Sequence, residues 1–111
     1  MVNHVLKHKG ITLDRSGTEV HHTEGYYVSI AAIDRIAIKD LNESRINECL
    51  SALRSIYGHI DGVYLGIWIN DEECYFDASI HITSKWHALR MGVVFKQLAI
   101  WDCKNSREVR V

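Results

Sequence analysis

Residues 62–82 constrain the fold more than any other part of this sequence, because apolar and polar side chains alternate along them in two runs. A polar break, Asn70-Asp71-Glu72-Glu73, separates the runs. Alternation with a period of two is typical of a strand with one buried face, and a short polar break between two such runs predicts a β-hairpin. One face of this hairpin suits a core, and the other carries aromatic and polar side chains.

The length of the break sets the predicted register of the hairpin. A tight turn at residues 70–73 places Ile69 opposite Cys74, and every earlier pair follows from that one. The pairs on the apolar face are Ile67 with Phe76, Leu65 with Ala78 and Val63 with Ile80. The pairs on the second face are Trp68 with Tyr75, Gly66 with Asp77, Tyr64 with Ser79 and Gly62 with His81.

The segment before the hairpin predicts one long strand and one helix. Residues 26–38 are rich in β-branched and aromatic side chains, and their length suggests a bend or bulge near residues 31–34. Asn42 is a good N-cap for a helix with one apolar stripe, and Gly58 ends that helix.

The segment after the hairpin predicts a second helix, from Thr83 or Ser84 to about Gln97, and a short strand at residues 98–101. Residues 1–25 are polar and irregular, with a weak strand or hairpin around residues 14–17. The charged residues 102–111 are a candidate for a mobile tail.

The predicted element order is therefore β(β)-α-β-β-α-β, within a single domain of 111 residues. An antiparallel sheet with two helices favours an α+β two-layer sandwich in which both helices pack on one face. The other face of the sheet must then either meet a partner or remain in water.

Composition argues against several classes of protein. Thirteen basic and fourteen acidic residues nearly cancel, so a broad electrostatic grip on duplex nucleic acid is not expected. There is no apolar run long enough to span a bilayer and no signal-peptide pattern, so we expect a cytoplasmic protein without a membrane partner. The three cysteines form no CxxC pair, which favours reduced thiols packed as small apolar groups.

The polar face of the hairpin is the first candidate contact site. Its residues are Tyr64, Trp68, Tyr75, Asp77 and His81. The rings could stack on a ligand or partner, while the carboxylate and the imidazole could form hydrogen bonds. Two other interpretations are a solvated sheet stiffened by aromatic pairs and an interface between subunits, where Trp and Tyr are enriched.

A second candidate site combines tryptophans with late basic residues. Its members are Trp86, Arg90, Lys96 and Trp101, which could stack on a base and contact a phosphate. The alternative is a solvated helix face and tail, which is what charge runs usually are.

Catalytic and metal chemistry have weaker support. Asp77, Ser79 and His81 supply the residue types of a nucleophilic relay, but side chains on one strand face project in parallel and do not converge. We therefore assign no catalytic residue, although a small hydrolase or nuclease-like enzyme that uses Asp77 and His81 is the alternative. His4 and His8 are four apart, but Gly10 argues against the helix that would pair them, so no metal or other cofactor is expected.

The C-terminal segment, residues 64–103, carries a family resemblance. A strand with Tyr-Phe-Asp-Ala-Ser is followed by a helix with Ala-Leu and then by Gln97, which leads into Ala-Ile-Trp-Asp. This pattern resembles short accessory proteins of phages and prophages. The resemblance implies a protein that counters host defence, either by binding a cyclic nucleotide signal, often as an oligomer, or by binding a defence protein directly. We therefore expect a non-enzymatic, homo-oligomeric binding protein.

Overall fold

The computed structural model describes all 111 residues as one layer of helices on one antiparallel sheet. The elements are helix α1 (Val2–His8), strands β1 (Gly10–Leu13) and β2 (Tyr26–Ala37), a 3-10 turn (Ile38–Asp40), helix α2 (Glu43–Tyr57), strands β3 (Val63–Asn70) and β4 (Glu73–Ile82), helix α3 (Lys85–Val94), and strands β5 (Ala99–Asp102) and β6 (Arg107–Arg110). The strand order is β1-β3-β4-β2-β5-β6. The predicted α+β class and two-layer architecture are confirmed.

The hairpin of β3 and β4 has the predicted register. Ile69 pairs with Cys74 and Trp68 with Tyr75, and the ladder runs on to Val63 and Ile80. Asp71, with φ 55°, makes the turn between the strands. One predicted pair is wrong: Gly62 lies before β3, and His81 is instead paired with a residue of β2.

Strand β2 is bent where the sequence suggests a bend. Its register against β4 shifts twice, between Ser29 and Ala31 and between Ala32 and Asp34. Each shift inserts an extra residue that leaves the ladder and lets the strand curve. The strand therefore follows the core while still presenting one face to solvent.

The helices share one face of the sheet. The main cluster joins α2 to β3 and β4 through fully or nearly fully buried side chains: Ile46, Cys49, Leu50, Leu53, Leu65, Ile67 and Phe76. A smaller cluster joins Ala88 of α3 to Val28 and Ile100. Ile80 packs against both clusters, and alternate residues of β4 share one face, so α2 and α3 lie on the same side.

The start of the chain differs from the prediction. Residues 2–8 form α1 rather than an irregular segment, and the helix contributes the fully buried Val5 to the core. Lys9 adopts the left-handed conformation, with φ 61°, and ends the helix. Gly10 therefore lies beyond the helix, in β1, so it does not oppose helix formation.

The end of the chain also differs from the prediction. Residues 107–110 form β6, which pairs with β5, so this part of the charged segment is an edge strand. The Asp102 carboxylate holds the intervening turn by accepting hydrogen bonds from the backbone of Lys104 and from the backbone and side chain of Asn105. Helix α3 ends at Val94, three residues earlier than predicted, because Lys96 turns left-handed with φ 58°. None of the three helices combines the length and apolar character needed to cross a membrane.

Candidate binding face of the sheet

The face of the sheet opposite the helices, called the open face here, presents four rows of directly paired residues. Directly paired residues point to the same side of a sheet, so each row is a line of neighbouring side chains. In order from the hairpin turn, the rows are Gly10, Trp68, Tyr75 and Arg35; Thr12, Gly66, Asp77 and Ala32; Tyr64, Ser79 and Ser29; and His81, Tyr27, Trp101 and Glu108.

The first row forms an aromatic wall. The rings of Trp68 and Tyr75 stack with centroids 4.2 Å apart and an interplanar angle of 10°. The Arg35 guanidinium lies 5.7 Å from the centroid of the Tyr75 ring, at the other end of the row. Trp68 remains 38% exposed, so a large aromatic surface next to a cation faces the solvent.

The second row is low, and it forms a shallow trough beside the wall. Its floor consists of Gly66, Ala32 and the carboxylate of Asp77. Four residues of a strand span about 13 Å, which is the spacing from the row of Tyr75 to the row of Ser79. The trough is therefore wide enough to accept a flat heterocyclic ring.

Asp77 is the charged group at the trough floor. Its Oδ2 accepts a hydrogen bond of 2.8 Å from the indole Nε1 of Trp68. Burial raises the pKa of this carboxyl group, and hydrogen bonds from Trp68 and Ser29 only partly oppose that effect. An ionised carboxylate can accept about four hydrogen bonds, so Asp77 has free acceptor sites. No cationic side chain pairs with Asp77. Asp77 is thus suited to accept N–H or O–H groups from a bound molecule.

A segment of the N-terminal region crosses the other half of the open face. β1 is an edge strand and β2 is the fourth strand, so the connection between them must pass over the sheet. Residues 19–25 make this crossing and are called the strap here. One end is fastened by a hydrogen bond from the Val20 nitrogen to the Thr12 carbonyl, and the other by a bond from the Cys103 nitrogen to the Gly25 carbonyl.

His22 fastens the middle of the strap. Its ring stacks on His81 at 3.9 Å and 17°, and it meets Tyr27 and Tyr64 edge-on, each at 5.3 Å. His22 Nδ1 is also hydrogen-bonded to the Tyr27 hydroxyl. His81 Nε2 is bonded to the Glu24 carbonyl oxygen at 2.7 Å. Four rings from four segments of the chain therefore form one cluster.

Burial controls the protonation of this cluster. It raises the pKa of Tyr27 to about 12, so the hydroxyl stays protonated and can donate to His22 Nδ1. Burial, followed by the charge of the neighbouring His81, lowers the pKa of His22. A carboxylate oxygen of Glu19 lies close to a ring nitrogen of His4 and of His21, but no acidic side chain lies within 4 Å of the ring nitrogens of His22. The neutral form of His22 is therefore the one that fits this ring cluster.

The structure places the five residues of the first predicted site on one face but divides them between two environments. Trp68, Tyr75 and Asp77 border the trough, while Tyr64 and His81 lie in the ring cluster under the strap. Sequence analysis missed His22 and Tyr27. Tyr27 had a usable signal, since it alternates with Val28 in a predicted strand, but the placement of His22 had none.

The second predicted site does not assemble. Trp86 and Arg90 are together on α3, with the guanidinium 5.0 Å from the indole centroid. Trp101 pairs with Tyr27 and faces the opposite side of the sheet, because its neighbour Ile100 is the residue that packs on α3. Lys96 lies after the helix and only Trp86 and Arg90 remain associated.

No catalytic relay is formed by the candidate groups. The Asp77 carboxylate accepts a hydrogen bond from Trp68, and His81 Nε2 is hydrogen-bonded to the Glu24 carbonyl oxygen. No hydrogen bond joins Asp77 to His81. Burial raises the pKa of each of the three thiols to about 11, which disfavours the thiolate form that a cysteine nucleophile needs.

The N-terminal histidines are closer together than the sequence suggests. Because residues 2–8 are helical, the rings of His4 and His8 lie 4.3 Å apart, which corrects the argument from Gly10. Glu19 faces two histidines, with Oε1 2.7 Å from His4 Nε2 and Oε2 3.1 Å from His21 Nε2. These groups do not converge as a set of three metal ligands.

Two cavities lie away from the trough. One, of about 320 Å³, is bordered by α2 and the turn at Ser16 and Gly17. The other, of about 540 Å³, is lined by Ala37, Ile38, Lys39 and Glu72 beside the hairpin turn.

Comparison of the chain with protein-family models, curated proteins and solved structures finds no match.

Proposed function

We propose that this chain is a non-enzymatic binding protein of the phage type that its C-terminal segment resembles, and that it sequesters a nucleotide-like signal. The observation that supports this function is the trough, in which an unneutralised carboxylate lies beside the stacked rings of Trp68 and Tyr75. A nucleobase has the two features that such a site recognises, a flat π surface and N–H donors along one edge.

Each group at the trough has a role in this proposal. Tyr75 covers one face of the Trp68 ring, and the other face lies toward Gly10, which has no side chain. Stacking of a base on that free face supplies affinity that depends little on the base, about 1–3 kcal/mol. Asp77 accepts N–H groups of the base and supplies selectivity. Arg35, at the end of the aromatic wall, lies 3.9 Å from Glu73 in an exposed pair and would exchange this partner for a phosphate.

The non-enzymatic part of the proposal rests on the separate hydrogen bonds of Asp77 and His81. A hydrolase that uses both groups would require one of them to leave its present partner. The hydrolase therefore stays the alternative, and the fate of the ligand distinguishes it from a sequestering protein.

A direct block of a host defence protein is the second candidate. It is favoured by the shallowness of the trough, since the two cavities lie elsewhere and the open face is a broad aromatic surface. Trp and Tyr are enriched in protein interfaces. In this case the same rings would contact a protein, and the chain would copurify with it.

The test is titration calorimetry with cyclic dinucleotides that contain guanine or adenine, followed by native mass spectrometry of the complex. We expect a stoichiometric complex, and heat denaturation should release the nucleotide unaltered. Turnover of the nucleotide at substoichiometric protein would favour the hydrolase. A folded protein that binds no nucleotide in the panel would overturn the sequestration proposal.

Variants locate the site. Trp68→Ala should weaken binding by about 5- to 150-fold, the loss of one stacking contact, whereas Trp68→Phe should weaken it less because a ring remains. Leu6→Ala is the matched control, since Leu6 is 39% exposed, as Trp68 is at 38%, but lies on α1. If Trp68→Ala folds and binds as the wild type does, the open face is only scaffolding.

A further inference from the structure

Helix α3 has apolar side chains on both its inner and its outer sides. Ala88 and Gly92 face the sheet and are buried. The outer side and the residues just after the helix expose large apolar groups, between 62% and 77% exposed: Trp86, Val93, Val94 and Leu98. A contiguous group of exposed large apolar side chains typically marks an interaction surface. The outer side of α3 therefore lacks a partner in the isolated chain.

The two ends of the molecule carry opposite charge. Residues 83–111 contain six basic residues and two acidic ones. Residues 1–82 contain seven basic residues and twelve acidic ones. α3 packs on β2 and β5, and β6 is the edge strand beside β5, so this basic segment forms one end of the molecule. Arg90 of this segment lies directly beside Trp86 on the apolar side of α3. A partner for this side should be negatively charged and should offer an apolar contact.

The same chain has such a surface next to the hairpin turn. The cavity of about 540 Å³ is lined by Ala37, Ile38, Lys39 and Glu72. Glu72 is the acidic residue of this lining, and Asp40, Asp71 and Glu73 are close to the lining residues in the chain. Arg35 lies 3.9 Å from Glu73, which leaves Asp40, Asp71 and Glu72 against Lys39. The cavity therefore has two apolar lining residues and a rim that is negative on balance.

We propose that a second copy of this chain is the partner: Trp86 of one copy inserts into the cavity beside Glu72 of the next. Arg90, which lies 5.0 Å from the Trp86 ring, then reaches the acidic rim together with it. An aromatic anchor with an adjacent arginine is the usual composition of an interface hot spot. The contact leaves the trough and the strap uncovered.

The proposed contact joins two different surfaces, so each copy offers one of each. Such head-to-tail contacts continue until they close into a ring or extend into a filament. Self-association should therefore exceed a dimer, and it should weaken at high salt because oppositely charged ends meet.

The experiment is sedimentation equilibrium of the full chain and of two single variants. Trp86→Ala removes the inserted ring, and Glu72→Arg reverses the charge of the cavity. Each should weaken self-association about 30-fold or more, the loss expected for a central anchor. A 1:1 mixture should form a heterodimer and nothing larger, because Trp86→Ala retains its cavity and Glu72→Arg retains its ring.

The control is Ile56→Ala, since Ile56 is 55% exposed on the last turn of α2, away from both surfaces. Circular dichroism checks that each variant is folded, which is the expected result because both altered side chains are exposed. A wild type that stays monomeric at millimolar concentration overturns the proposal. So does a mixture of folded variants that fails to form heterodimers.

Discussion

His22 is the side chain on which attachment of the strap depends most, and its removal has a calculable effect. In His22→Ala, the hydrogen bond to the Tyr27 hydroxyl is lost, at about 1 kcal/mol. The ring contacts with His81, Tyr27 and Tyr64 are lost as well, at about 0.5–1.5 kcal/mol for each aromatic pair at most. Because the site is partly exposed, we expect a total near 2 kcal/mol, or a melting temperature lower by roughly 8–10 °C.

The pH dependence has a definite sign. The folded state lowers the pKa of His22, so the unfolded chain takes up a proton more readily than the folded one. The contribution of His22 to stability is therefore complete above about pH 6.5 and is lost as the pH falls through 6.5 toward the lower folded pKa. A proton on His22 would also place a positive charge 3.9 Å from the ring of His81.

The assay is urea unfolding followed by circular dichroism at pH 7.5 and pH 5.5. We expect the wild type to lose more stability between these values than His22→Phe, which keeps a ring but cannot titrate. His59→Phe is the control, because His59 is exposed in the loop after α2. A loss below about 0.5 kcal/mol in His22→Ala, or an unchanged pH response in His22→Phe, would refute this account of the strap.

Two further substitutions test the strap and the trough. Gly25→Ala should cost at least about 1–2 kcal/mol in urea unfolding, because φ is 81° and the new Cβ would lie 2.5 Å from His81 Nε2. Gly62→Ala has the same φ of 81° with nothing within 4 Å, so an equal loss in both variants would exclude the clash as a cause. Asp77→Asn should leave stability at pH 7 equal or higher, since the raised pKa means that ionisation of Asp77 opposes folding as the pH rises above 3.8. The amide oxygen can still accept from Trp68, so a loss of stability at pH 7 in thermal melts would contradict this argument.

The hairpin and its two faces were predictable because they depend on local pattern. The alternation specifies the faces, and the length of the polar break specifies that Ile69 meets Cys74. The N-cap at Asn42 was predictable for the same reason, since its side chain accepts from Arg45 nitrogen only three residues away. The two-layer architecture followed from the number and type of these elements.

The features that the sequence did not predict, the face of Trp101 and the position of His22, depend on pairings between distant segments. Trp101 was grouped with Trp86 because both lie near Arg90 in sequence, but its face is set by its pairing with Tyr27. The position of His22 follows from the pairing of β1 with β3, and no local sequence pattern predicts that pairing. The sequence thus predicted the wall of the trough and could not predict that a strap covers the other half of the face.

The crossing of the strap also has a consequence for the order in which the chain folds. β1 joins residue 11 to residue 67, and the strap joins residue 22 to residue 81, so both close long loops. Closing a long loop costs chain entropy before the contact adds stability. The β3–β4 hairpin joins neighbouring segments, so its entropy cost is smaller. We therefore expect the N-terminal 25 residues to dock last and to detach first. Such a local opening would uncover Tyr27, Tyr64 and His81 while the sheet beneath them stays intact.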